Sequence, residues 1–131
     1  MTVIKLSYFN TGTTDEFACK CGKCGLGVKD MQPKLLRMLD VARFHAGVSF
    51  VLNRAISCPE HNSDPNVGGS ETSSHLTGWA VDIDCNDAAT RYHIIRGLIL
   101  AGFTRIGVYK DSKGTFIHAD CDPTKTPCVL W

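Results

Sequence analysis

Two short stretches of the chain concentrate side chains able to hold and use a metal. They are Ser73-Ser74-His75-Leu76-Thr77-Gly78-Trp79-Ala80-Val81-Asp82 and Phe116-Ile117-His118-Ala119-Asp120. His75, Asp82 and His118 would together supply two imidazoles and a carboxylate. That three-donor set suits Zn²⁺ and leaves a fourth position open to water, the mark of a catalytic rather than a closed structural zinc. Gly78 and Ala80 are small, so a ligand can approach the chain between His75 and Asp82. Asp82 lies between Val81 and Ile83, where a carboxylate needs a partner and a cation satisfies it. The same residues admit plainer roles: Ser73 as a turn cap, His118 as a core histidine, Asp82 as the partner of an arginine. Spacing alone does not choose between these.

The elements that must position these residues follow from periodicity. Over residues 32–46, Leu35, Met38, Leu39, Ala42 and Ala46 recur at three- and four-residue steps. With Pro33 in the first turn and Gly47 after the last, this predicts a helix with one buried face. Residues 48–52 read as a strand. Residues 57–74 form a long polar stretch of the kind that is usually functional or disordered. Residues 79–85 alternate, with Trp79, Val81, Ile83 and Cys85 on one side and Ala80, Asp82 and Asp84 on the other. Asp87 is placed to cap a helix over 88–101, with Ile94, Ile95, Leu98 and Ile99 inward and Gly102 at its end. Strands over 103–109 and 115–121 are expected to join through a turn at 110–114. This order predicts an α+β fold with a mostly antiparallel sheet.

At 131 residues the chain has room for one domain, 1–131, and 44% hydrophobic with 21% charged residues is a globular balance. Fourteen Lys+Arg against thirteen Asp+Glu leave a formal charge of +1 without a basic block, so no nucleic-acid partner is expected. The longest apolar run, 94–103, is broken by Arg96, so no membrane insertion is expected. Met1-Thr2-Val3-Ile4-Lys5 has no secretory signal, which predicts a cytoplasmic product that acts elsewhere only after release. The seven cysteines include the cluster Cys19, Cys21 and Cys24. Three thiols at uneven spacing with no obvious fourth donor favour free thiols, or one or two disulfides, over a structural zinc.

The pattern Ser73-x-His75-x-x-Gly78-x-Ala80-x-Asp82, followed by His118-x-Asp120, resembles the zinc D-alanyl-D-alanine carboxypeptidase family. That family includes phage cell-wall endopeptidases and vancomycin-resistance dipeptidases, and shares its fold with the hedgehog signalling domain. Glu16-Phe17-x-Cys19-x-Cys21-Gly22 is similar to the opening of a small phage and bacterial branch. Cys58-Pro59-Glu60-His61-Asn62, then Val67-Gly68-Gly69, resembles the loop leading to that branch's first zinc histidine. The likeness spans roughly residues 15–122. It implies a hedgehog/DD-peptidase-like fold: a central, mostly antiparallel sheet, flanking helices and a zinc cleft. It also implies Zn²⁺ on His75, Asp82 and His118, and hydrolysis of an amide bond in the peptidoglycan peptide stem. The reaction would be that of a D-Ala-D-Ala carboxypeptidase or an endolysin-type endopeptidase. The expected protein is a monomer that meets the cell wall after release or as part of a virion.

Two positions depart from the family. Many relatives carry an acidic general base three residues before the second histidine, where this chain has Thr115. Asp120 is then the candidate base, or else a carboxylate that orients a ligand. Relatives usually carry an arginine immediately before Cys-Pro, where this chain has Ser57. The nearest substitute, Arg54, points to the opposite face of a regular strand unless the strand ends or bulges there. Ser73 either caps the turn before His75 or bonds substrate. Tyr109 either packs or donates to a developing oxyanion. His61 is expected to hydrogen-bond backbone rather than bind metal. These departures keep open a non-catalytic module of the same fold, stabilised by zinc, that binds cell wall or assembles into a virion. A weaker reading makes the Cys19–Cys24 cluster the metal site of an interaction module.

Overall fold

The computed structural model describes residues 4–111 and 114–131. Helix α1 spans Pro33–Ala46, with Pro33 at its first position, and ends on Gly47 at φ 68°. Helix α2 is the short segment Pro59–Ser63. Helix α3 spans Ala88–Ala101; the Asp87 carboxylate accepts the Thr90 N–H at 2.8 Å, and Gly102 closes the helix at φ 95°. The strands are β1 (Leu52–Arg54), β2 (Ala80–Asp84), β3 (Arg105–Asp111), β4 (Gly114–Asp120) and β5 (Val129–Leu130). They form one sheet in the order β1-β2-β4-β3-β5, antiparallel except for the β3–β5 pair. The α+β class and the mostly antiparallel sheet agree with the sequence expectation.

The two faces of the sheet have different tasks. Val81 and Ile83 of β2 and Ile117 and Ala119 of β4 face the helices and join Leu35, Leu39, Ala42, Ile94 and Leu98 in the core. The opposite face carries the polar residues of the same strands. β2 is consequently buried along both faces rather than on alternate residues.

Register then lines up the site. Asp82 pairs with His118, which pairs on its other side with Gly107; Ala80, Asp120 and Arg105 form the next row. On the outer side of β2, Leu52 pairs with Ile83 but Arg54 pairs with Asp82, so the register slips by one residue between them. A regular ladder would set Arg54 on the core face beside Leu52. The bulge turns it to the polar face beside Asp82, the usual service of a bulge near a functional site.

Several sequence expectations need correction. Residues 48–51 are not strand: only Leu52 and Arg54 pair with β2, and Val51 is exposed. Ile99 points to solvent, because Gly97 sets the rotation of α3. A β-carbon on Gly97 would run into the Ala42 carbonyl and Ala46, so the two helices touch there and Ile94 and Leu98 turn inward. The polar stretch 57–74 contains α2. Strand β3 starts two residues later than expected, leaving Phe103 in the connection from α3, and positions 112 and 113 of the expected turn lie outside the described residues. The β5 strand was not anticipated. All seven cysteines are free thiols, the first of the two alternatives that the sequence left open for them.

Candidate metal centre and cleft

Each member of the three-donor set reaches the site by a different device. Ser73 Oγ accepts the His75 N–H at 3.2 Å and starts a 3-10 turn over Ser74–Thr77, which Gly78 ends at φ 78°. That turn drops His75 against the β1–β2 edge, and the Ser74 hydroxyl anchors it by donating to Asp122 Oδ2 at 2.7 Å. Asp82 and His118 are cross-strand neighbours on β2 and β4.

The donors converge. His75 Nε2 lies 3.2 Å and His118 Nδ1 3.0 Å from Asp82 Oδ1, and the two rings meet edge to face with centroids 5.3 Å apart. A tetrahedral zinc with bonds of about 2.0–2.1 Å sets its donors about 3.3 Å apart, close to these separations. The protonation pattern also fits. His75 Nδ1 is 2.8 Å from the Ala55 carbonyl and must donate to it, which leaves the lone pair on Nε2. That Nε2 is buried and, among the described residues, has no hydrogen-bond partner, despite its proximity to Asp82. A buried acceptor aimed at two other donors is what a metal ligand requires.

His118 is held from both sides: Nδ1 by Asp82 and Nε2 by Asp120 Oδ2 at 2.7 Å. Burial alone would lower its pKa, but hydrogen bonds to Asp120 and Asp82 push it up to about 9. Burial works against ionisation of Asp82 as well, yet His75 and His118 hold its carboxyl well below the usual carboxylate range. Asp120 is buried and engaged at both oxygens, by His118 and by Arg105 Nε at 3.1 Å, with the Asp122 N–H on Oδ1 at 3.2 Å.

Around this centre lies a cleft of about 720 Å³ lined by residues from β1, β2, β3, β4 and the loop before the 3-10 turn. Arg54, Ser73, Tyr109 and Thr115 all line it. Arg54 donates from Nε to Ser57 Oγ at 2.8 Å and from Nη2 to Asn62 Oδ1, so the serine standing where relatives have arginine holds the arginine that enters the cleft instead. Tyr109 stacks on Phe116 at 4.8 Å, and its hydroxyl accepts the Trp131 Nε1–H at 2.8 Å. Among the described residues His61 joins no group that could hold a metal; it lies on α2 at the cleft rim.

Three cleft residues escaped the sequence reading. Arg105 shares a face with Gly107 and Tyr109 by strand alternation, a signal present but unused. Asp84 shares the face of Asp82 for the same reason and also lines the cleft. Trp131 had no local signal: it reaches His118, 5.7 Å between ring centroids, only because β5 pairs with β3. Gly107 makes room, since a β-carbon there would sit 2.6 Å from the indole.

Two histidines and a carboxylate, His118 half-buried and the others buried, thus form a group that could hold a metal ion in a polar cleft on the open face of a mostly antiparallel sheet. The peptidase M15 family model matches residues 10–120, and the chain belongs to that family, the zinc D-Ala-D-Ala carboxypeptidase-like one that its motifs resemble. Membership makes it a metallopeptidase of a zinc-dependent family that acts on peptidoglycan. No curated protein matches the chain. Among the described residues no helix is long and apolar enough to cross a membrane.

Proposed function

We propose that the protein is a zinc-dependent peptidase that hydrolyses an amide bond of the peptidoglycan peptide stem next to a free carboxylate, in the manner of a D-Ala-D-Ala carboxypeptidase. The observation that carries this reading is the orphaned Nε2 of His75 beside Asp82 and His118. His75, Asp82 and His118 would hold the ion. Zinc there supplies a Lewis acid that polarises a carbonyl and acidifies water.

The remaining chemistry belongs to the chain. Arg54 still has N–H groups beyond those given to Ser57 and Asn62, and serves as the cation for a substrate carboxylate. Asp120 acts on His118 rather than on substrate, fixing the ring and its tautomer. That leaves Asp84, on the same face as Asp82, as the cleft carboxylate that takes a proton from water and passes it to the leaving amine. Tyr109 accepts from Trp131 and so keeps its own proton to donate to the developing oxyanion. Ser73 caps the His75 turn and presents its hydroxyl at the rim for substrate. Thr115 lines the cleft and is no base.

Mass spectrometry of muropeptides before and after digestion tests this reading. Loss of a terminal residue from the stem, abolished by His75→Ala, is the expected result. Asp84→Asn should keep zinc and lower kcat by about 10²–10⁴, whereas Asp120→Asn should weaken zinc binding by about 10–100-fold. New internal amines without terminal loss would mark an endopeptidase and remove the role given to Arg54. A zinc-loaded protein that cuts no wall type would leave the non-catalytic module as the answer.

A further inference from the structure

Outside the cleft the fold assembles a second cluster of metal-binding side chains. Cys19, Cys21 and Cys24 meet Cys58, which lies far along the chain at the start of α2, with ligand atoms all within 4.8 Å of one another. Cys58 is the fourth donor that the local spacing lacks. Its Sγ is 3.9 Å from both Cys19 Sγ and Cys21 Sγ. A disulfide needs about 2.05 Å. A tetrahedral zinc with Zn–S bonds of about 2.3 Å sets its sulfurs about 3.8 Å apart. The observed spacing matches the second.

The backbone is arranged for thiolates. Each of the four sulfurs accepts one amide: Cys21 from Lys23, Cys24 from Leu26, Cys19 from Cys58 and Cys58 from His61, at 3.4–3.5 Å. The first two repeat one device. Cys21-Gly22 and Cys24-Gly25 each follow cysteine with a glycine at positive φ, 73° and 79°, which turns the chain so that the next amide points back at the sulfur. Amide donors of this kind stabilise metal-bound sulfur and fix its direction. Lys20 and Lys23 flank the cluster, and so do Glu60 and Asp64.

We propose that Cys19, Cys21, Cys24 and Cys58 form a structural tetrathiolate zinc site, separate from the cleft, that staples the segment before α1 to the start of α2. Metal binding by a cysteine takes the thiolate form, and a divalent ion offsets the charge that four sulfurs at this spacing would share. The site has a mechanical consequence. Asn62, four residues after Cys58 on α2, holds Arg54 and accepts no slack, since its amide also donates to the Ser70 carbonyl at 2.8 Å. The staple thus braces the wall of the cleft.

The test uses the full chain purified under reducing conditions, with zinc content, Co²⁺ absorption and a thiol count as readouts. Wild type should carry two zinc ions per chain, and the His75→Ala/His118→Ala variant one. Co²⁺ loaded into that variant should show the intense near-ultraviolet thiolate charge transfer of a tetrahedral sulfur site. Cys24 is exposed, so Cys24→Ala leaves the core intact; in the double-histidine variant it should weaken that band, and in wild type it should weaken the second zinc while the cleft zinc stays. The thiols should resist alkylation until a chelator is added. At most one zinc in wild type with none in the double-histidine variant, or cysteines recovered as pairwise disulfides, would overturn the proposal whatever the protein does to peptidoglycan.

Discussion

At the scale of single residues, the centre is built from groups that would repel or strain one another without a shared cation or a shared proton. His118 sits between Asp82 and Asp120, each within 3.0 Å of one ring nitrogen. Its folded-state pKa of about 9 lies above the ordinary 6.5, so in metal-free protein the stability from this arrangement is complete below pH 6.5 and lost as pH rises through 9. NMR titration of the His118 ring in chelated protein should give a midpoint near 9; an ordinary histidine midpoint would remove the two-carboxylate clamp. Zinc competes with the Nδ1 proton, so its affinity for the cleft should rise with pH across the same interval. His75 differs because its Nδ1 is committed to Ala55, leaving one nitrogen free for metal.

At the scale of elements, two close approaches decide geometry that no side chain could. Gly97 lets α3 lie against α1, and Gly107 lets Trp131 lie on β3. Gly97→Ala improves helix propensity by about 1 kcal/mol. The added methyl nevertheless meets backbone of α1, and overpacking of that kind costs about 1–3 kcal/mol. The net expectation is lower stability in urea unfolding, with the cleft residues unmoved and kcat per folded molecule preserved. A stabilised variant would show that the helices separate more easily than the Ala42 contact implies. The β1 bulge belongs at this scale too: it is one residue of slippage, and it moves Arg54 from the core face to the cleft face.

For the whole molecule, one sheet separates two environments. Its helix side holds the apolar core, and its open side holds nearly all the buried charge: Asp82, Asp120 and their histidine and arginine partners. Because those charges are paired locally and the formal charge is +1, little long-range field is left to steer a charged substrate. KM for a soluble muropeptide should therefore change by less than about threefold between low and physiological salt. A steep salt dependence would indicate that a rim lysine such as the half-buried Lys125, rather than Arg54, captures the substrate.

The helices α1 and α3 and the alternation of β2 were legible in the amino-acid order, because each depends on periodicity within a short window; His75, Asp82 and His118 stood out as candidate donors by residue type, and the family resemblance rather than spacing singled them out. The bulge at Arg54, the partnership of Cys58 with a distant cysteine triplet, the Asp120–Arg105 pair and the placement of Trp131 were not. They depend on strand register and on contacts between segments far apart in the chain, and register is decided by how the two faces of the sheet pack. Local sequence determined which chemistry the chain could support. Tertiary packing decided which carboxylate, cation and sulfur stand close enough to take part.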